Sequence, residues 1–520
     1  MTIFPCREDL LLCKEQINER NVMMKKIVLS SLAALGGLCM PAAGKATGGL
    51  QFDASKGVSC TLTMPQGKVV KYTAYTHLYY VTNVEDSTYQ YLNVFVPEGA
   101  TQQSPIFLRN YVGGYMAAAA GMPQAGDASG RALEEGYVLV IPGVRGRNST
   151  VKRGKKTVYT GRAPKGLLDL KAAVRYLRLF DKVMPGDAEK IVSDGTSAGG
   201  AMSALLGATG NNPAYDKYLK DMGAADTRDD IFASVAFCPI TDLEHADMAY
   251  EWLYNCTNKG NRAITEAQKS VSDELAKRYP AYLNSLKLKA PDGMPLTADN
   301  YLDYIRNEII RSAQIAKNAG AVIPDTIGFT FSEQPSFGAP PINGGKRPAM
   351  EERPQLPAGV TPFTKQQGEY ITGLDMVKYL NYVVTTQPLK TAPAFDAMGV
   401  ADAATTGEND EFGDETGTSA NFTDFSAAKN GTAVSKEVKE LVRIMNPMNF
   451  IGDGQSDVAT HWYIRHGARD RDTAFPVPVN LALKLQNAGK NVNFMLPWNR
   501  PHSGDYALDD LFAWLGKLTK

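Results

Sequence analysis

The stretch Tyr137-Val138-Leu139-Val140-Ile141-Pro142 offers no charged side chain on either face of an extended chain. Such a strand belongs in a sheet covered on both sides, the situation of parallel strands wrapped by helices. The neighbouring pattern agrees. Leu167, Leu168, Leu170, Val174, Leu177 and Phe180 recur at helical spacing. Ile191-Val192-Ser193-Asp194 reads as a strand, 201–208 as an apolar helix and 231–240 as another strand. Upstream, 69–75 and 91–96 read as strands, Ile106-Phe107-Leu108 leads into Gly113-Gly114, and a helix over 131–135 stops at Gly136, a C-cap residue. Strand and helix alternate again at the end: 459–465, 479–487, 492–496 and 508–518. Strands alternating with helices predict an α/β chain around a mostly parallel central sheet.

The alternation breaks between these halves. Residues 241–320 read almost wholly as helix, and 332–362 are too rich in Pro and Gly for regular structure. We therefore expect one core, 50–240 and 441–520, interrupted by a large, mainly helical lid insertion at 241–440. The N-terminus carries an address: Met24-Lys25-Lys26, an apolar run over 27–40, then the small residues of Pro41-Ala42-Ala43-Gly44-Lys45-Ala46. This 24–46 segment has the form of a bacterial export signal, with translation starting at Met23 or Met24. The mature chain would be secreted, periplasmic or held at the cell surface. Leu38 is too large to precede a lipidated cysteine at Cys39. Past the signal only Cys60, Cys238 and Cys256 remain, which allows one disulfide at most. Cys238 follows an apolar run and reads as a core residue; the spacings match no zinc site. Fifty-five basic residues balance fifty-five acidic ones, which argues against nucleic acid or an anionic membrane as partner. The sequence sets no oligomeric state.

Chemistry enters at Gly195-Thr196-Ser197-Ala198-Gly199. The G-x-S-x-G pattern alone is weak, but here a strand runs in and a small-residue helix runs out, as a nucleophile elbow requires. The glycines make room for a strained serine turn, and the Ala198 N–H at the helix start faces a developing oxyanion. This is the layout of an α/β-hydrolase, with Ser197 as nucleophile. The serine needs a base, and the chain has five histidines. His77 precedes the nucleophile, His245 leaves no room for an acid-bearing strand, and His461 and His466 compete with the acid for position. His502, on the loop after 492–496, is the expected base. The acid should lie in His466-Gly467-Ala468-Arg469-Asp470-Arg471-Asp472-Thr473. Asp470 or Asp472 could fill the role, the other binding substrate or pairing with Arg469 or Arg471. Asp457 and Asp505 read as surface or turn residues. The second oxyanion donor should come from Asn110-Tyr111-Val112-Gly113-Gly114-Tyr115, through Gly113 or Gly114.

Longer strings resemble one family. Gly195–Asn211, the segment Ile464-Arg465-His466-Gly467 with Asp470-Arg471-Asp472-Thr473, and Leu496-Pro497-Trp498 with His502-Ser503-Gly504-Asp505-Tyr506 look like the nucleophile, acid and histidine segments of bacterial tannases. The resemblance covers about 55–520. It implies hydrolysis of galloyl esters and depsides through an acyl-enzyme, a small-molecule galloyl ester as partner, and Ser197, Asp470 and His502 as the triad. It implies that Asp472, Lys390 and Glu408 hydrogen-bond the three galloyl hydroxyls. Fungal tannases and related feruloyl esterases place cysteines beside the serine and histidine; Thr196 and Pro501 stand there, so the chain departs from that branch. Acyl transfer of this kind requires no metal or cofactor. The alternatives are a broader phenolic (feruloyl-type) or carbohydrate esterase, a peptidase of the same fold, or a binding protein on an inactive scaffold.

Overall fold

The computed structural model describes residues 49–257, 262–332, 370–385 and 387–519. The 24–46 leader and, beyond Ser332, the Pro/Gly-rich segment lie outside these residues. Thirteen strands follow in chain order: β1 (Val58–Thr63), β2 (Val69–Tyr79), β3 (Tyr91–Pro97), β4 (Pro105–Arg109), β5 (Val138–Pro142), β6 (Thr150–Arg153), β7 (Lys156–Tyr159), β8 (Asp187–Thr196), β9 (Ala233–Phe237), β10 (Phe329–Ser332), β11 (Tyr370–Leu374), β12 (His461–Arg465) and β13 (Asn491–Met495). Nine of them form the main sheet in the order β1-β2-β3-β5-β4-β8-β9-β12-β13. From β5 to β13 every pairing is parallel, whereas β1, β2 and β3 add an antiparallel edge. This is an α/β-hydrolase fold with a mostly parallel sheet.

The apolar runs explain the centre. All five residues of β5 and all five of β9 are buried. The helix Ala198–Ala208 is buried along its whole length, as an all-apolar helix must be. Its Ser203 hydroxyl is satisfied by Ser193 and Ser234 of the adjacent strands, at 2.6 and 3.1 Å. The edge strand β1 and the hairpin β6–β7 escape the sequence pattern. Both are short and largely exposed, so neither carries a strong apolar period.

Among the described residues, the segment 241–440 contributes no strand to the main sheet. Its helices include Leu243–Tyr254, Glu266–Ser285, Tyr301–Asn318 and Met376–Thr385, with β10 and β11 paired as a separate ribbon. Its tyrosines reach into the core's 468–471 loop. The Tyr254 hydroxyl donates to the Asp470 carbonyl at 2.9 Å, Tyr250 to Arg471 at 2.8 Å, and Tyr379 to Ala468. The insertion thus grips that loop as well as standing over the sheet.

Two buried aspartates organise the insertion's irregular part. Asp247 accepts the backbone N–H groups of Ala394, Phe395 and Asp396. Asp396 accepts five hydrogen bonds, from the Asn409 and Asn421 amides, the Phe422 and Thr423 N–H groups and the Thr423 hydroxyl. A loop without regular hydrogen bonding needs such a hub for its buried donors. Asp396→Ala strands these donors and is expected to lower stability by about 3 kcal/mol or more. Urea denaturation followed by tryptophan fluorescence measures this, and an unchanged midpoint would refute the hub.

Candidate active site

Ser197 sits between the end of β8 and the helix Ala198–Ala208 with φ +62° and ψ −124°. A non-glycine residue adopts such a backbone only when its surroundings hold it there. The Ser197 N–H donates to the Phe237 carbonyl at the end of β9, 2.9 Å away. The flanking glycines permit the turn. A Cβ on Gly195 would stand 2.2 Å from the Gly199 carbonyl oxygen, and one on Gly199 would stand 2.6 Å from the Val112 oxygen. The collision expected with strand and helix is therefore also a collision with the 110–112 loop. Asn110 fastens that loop, its amide donating to the carbonyls of Asp194 and Gly199 at 3.0 and 3.1 Å.

The Ser197 hydroxyl donates to His502 Nε2 at 2.8 Å, and His502 Nδ1 donates to Asp470 Oδ2 at 2.7 Å. Asp470 is fully buried. Burial opposes its ionisation, but the neighbouring His466 and His502 outweigh that and hold it down at about 2. Burial also lowers His502; the Asp470 hydrogen bond and charge more than offset this and leave it above the ordinary histidine value. The ambiguity between the two aspartates disappears here. The Asp472 N–H donates to Asp470 Oδ1 at 2.8 Å, so Asp472 supports the carboxylate that meets His502. The Asp472 carboxylate itself pairs with Arg471 at 2.8 Å.

The remaining expected residues divide between two sides. Lys390 lies close enough for its charge to act on His502, as does Asp472. Its ammonium rests 3.9 Å from the Phe395 ring centroid, and its carbonyl is clamped by Arg262 at 2.7 Å. Glu408, on the short helix Gly407–Glu411, acts instead on Tyr115 of the 110–115 loop. Tyr115 in turn donates to the Ile240 carbonyl at 2.8 Å. Glu408 is only 9% exposed, yet its carboxylate has no hydrogen bond or ion pair among the described residues. Ala198 begins the elbow helix and is buried, whereas Gly113 and Gly114 are exposed with open space around their Cα atoms. Arg147 donates to the Gly114 carbonyl at 2.8 Å and pairs with Asp410 at 2.9 Å, joining the 110–115 loop to the helix that bears Glu408.

Three residues have partners that the sequence did not show. Asp505 stands in a turn at φ +57°, and there it pairs at 2.6 Å with the buried Arg109, which also pairs with the fully buried Asp194. Its place is dictated by that buried cation, a long-range partner. Cys238 is buried in the core, as expected, but it also belongs to the acid's surroundings. Its thiol donates to the Ser503 carbonyl at 3.3 Å and groups with His466 and Asp470. His466 does not compete with the acid but faces it, Nδ1 lying 3.5 Å from Asp470 Oδ2. Cys60, Cys238 and Cys256 are all free thiols. The side-chain groups with metal-ligand spacing among the described residues, Cys238–His466–Asp470 and Asp470–Asp472–His502, both share the triad's carboxylate.

Acid and histidine reach each other because two loops touch backbone to backbone. The Ala468 and Arg469 N–H groups donate to the carbonyls of Pro497 and Arg500, each at 2.9 Å. A Cβ on Gly467 would stand 2.2 Å from the Arg500 oxygen and 2.6 Å from that of Pro501. Gly467→Ala must push the loops apart. It is expected to lower kcat by about a hundredfold with little change in KM, the size of effect that follows a displacement of about 1 Å. Steady-state kinetics on a gallate ester measure the split; a raised KM at unchanged kcat would contradict it.

Comparison with known proteins agrees with this geometry. The BD-FAE family model matches residues 92–283. No curated protein matches the chain. Among solved structures, the Fusobacterium nucleatum tannase is 37% identical over 91% of this chain and 99% of its own, with a TM-score of 0.77. The Lactobacillus plantarum tannin acyl hydrolase is 35% identical over 90% and 98%, with a TM-score of 0.77. A tannin acyl hydrolase in complex with ethyl gallate is 36% identical over 90% and 98%, also at 0.77. Identity at this level along nine-tenths of the chain places it in the tannase family, among the carboxylic ester hydrolases of α/β-hydrolase fold.

Proposed function

We propose that the protein is an exported serine esterase that cleaves galloyl esters and depsides through an acyl-enzyme. The unbroken hydrogen-bonded line Ser197–His502–Asp470 carries the mechanism. Ser197 Oγ attacks the ester carbonyl while His502 Nε2 takes its proton. Asp470 holds the Nδ1–H tautomer of His502 and stabilises the imidazolium. The N–H groups of Ala198 and of Gly113 or Gly114 receive the oxyanion. His502 then hands the proton to the departing alcohol oxygen, leaving the galloyl group on Ser197. Water, deprotonated by His502, attacks the acyl-enzyme and releases the acid.

The galloyl specificity is supported by Glu408. Its carboxylate stands at the edge of packed chain without a protein partner among the described residues, so it is free to accept a ligand hydroxyl. Lys390 and Asp472 offer a cation and an anion on the histidine side for the other hydroxyls. A relative bound to ethyl gallate supports the same substrate class. A relative bound to 3,4-dihydroxybenzoate keeps a broader phenolic esterase as the second reading. Export rests on the 24–46 segment, and N-terminal sequencing of the mature protein tests it.

A panel of methyl esters decides the substrate. Methyl gallate should be turned over readily and methyl ferulate poorly. Ser197→Ala should abolish both turnover and fluorophosphonate labelling, and Glu408→Gln should raise KM for gallate about tenfold or more. Good ferulate turnover without gallate turnover would sink the galloyl reading. The base must be unprotonated to act. Since Asp470 holds His502 above its ordinary value, kcat/KM should rise with pH through an apparent pKa above about 6.5. A limb well below 6 in the pH profile would contradict His502 as that base.

A further inference from the structure

The ends of three adjacent parallel strands lie in one row. Thr196 of β8 pairs with Phe237 of β9, which pairs with Arg465 of β12. The next residues along the row are therefore Ser197, Cys238 and His466, each the first residue beyond its strand. The first is the proposed nucleophile. The third has a fully buried side chain, and neither ring nitrogen finds a hydrogen-bond partner of good geometry. Buried polar groups of that kind are rare and call for an explanation. His466 Nδ1 lies 3.5 Å from Asp470 Oδ2, the oxygen that also receives His502. The ring is held edge-on to Phe475, at 5.7 Å and 88°.

From this geometry we infer that His466 is a positioning residue: a second histidine that shares the Asp470 carboxylate with His502 and fixes its aim. The inference rests on the triad proposed above. An ionised carboxylate has about four acceptor sites. At Asp470, the Asp472 N–H fills one on Oδ1 and His502 one on Oδ2, at 2.8 and 2.7 Å. His466 Nδ1 stands 3.5 Å from Oδ2, in place to offer that oxygen a further, longer donor contact. Cys238 completes the surround. Burial pushes its thiol well up, so it remains S–H, and it ties the row to the loop after His502 through the Ser503 carbonyl. The polar groups facing the His466 ring are Asp470, His502, Asp472, Cys238 and the Thr473 backbone. Burial, the largest of these influences, pulls His466 below the ordinary histidine value. It therefore stays uncharged where His502 works and lends a proton donor without a second charge.

Removing that donor makes the Asp470–His502 pair hold its proton more tightly, whichever member carries it, so the acid limb of kcat/KM moves to higher pH. An asparagine amide nitrogen stands where Nδ1 stands, and a glutamine amide nitrogen stands nearer Nε2. His466→Asn should keep kcat within about threefold and leave the limb in place. His466→Gln should lose on the order of tenfold in kcat, as second partners of histidine–carboxylate pairs do, with KM nearly unchanged and the limb shifted upward. Equal losses in both variants with an unshifted limb assign a packing role and overturn the inference, as does an unshifted, fully active Gln variant. Ser197→Ala is run beside them: if it keeps its activity, the triad reading fails, independently of His466.

Discussion

Arg109 is the cation on which the catalytic end of the sheet depends. It closes β4 immediately before the 110–115 loop, and its guanidinium meets Asp194 near the end of β8 and Asp505 beyond the histidine loop. Three segments that must converge, bearing the proposed oxyanion donors, nucleophile and base, are thus tied to one buried charge. The balance is physically delicate. Burial pushes Asp194 up, and Asp505 adds to the negative charge, while the guanidinium draws both carboxyls back. Losing Arg109 leaves two carboxyl groups without their shared cation, and breaking a buried pair in this way typically costs about 3–5 kcal/mol. The elbow then needs only local help: glycines that admit the 110–112 loop and a Phe237 carbonyl that holds the Ser197 N–H.

The insertion enters the same chemistry from the other side. Its tyrosines fix the carbonyls of the loop that carries Asp470, and its two buried aspartates set the course of the chain between Lys390 and Glu408. The proposed substrate contacts and the proposed catalytic acid are consequently held by one body of packed side chains. No helix among the described residues is long and apolar enough to cross a membrane.

Much of this was legible without coordinates, for definite reasons. Strands such as β5 and β9 announce themselves because both faces are buried. Ser197 and His502 follow from an elbow pattern and from an order of residues that the fold imposes. The choice between Asp470 and Asp472 followed only from the resemblance, because both stand on a loop whose turns no periodicity reports. Lys390 and Glu408 came from resemblance alone, and they sit on irregular chain whose path depends on Asp247 and Asp396. His466 was misjudged for a different reason: it looked like a competitor for the acid's place, and only the register between β8, β9 and β12 puts it in line with Cys238 and Ser197. The ion pair of Asp505 was not legible because its partner is Arg109, 396 residues away.

The sequence by itself determined the α/β architecture and the family and pointed to Ser197 and His502 as nucleophile and base, since these are written in local patterning and in order along the chain. Tertiary structure alone decided what surrounds the Asp470 carboxylate and which charges stay unpaired for a ligand. Those outcomes depend on strand register, on loops touching through Gly467 and on buried charges that find partners across hundreds of residues. No local pattern encodes such contacts, because they exist only once the core has closed.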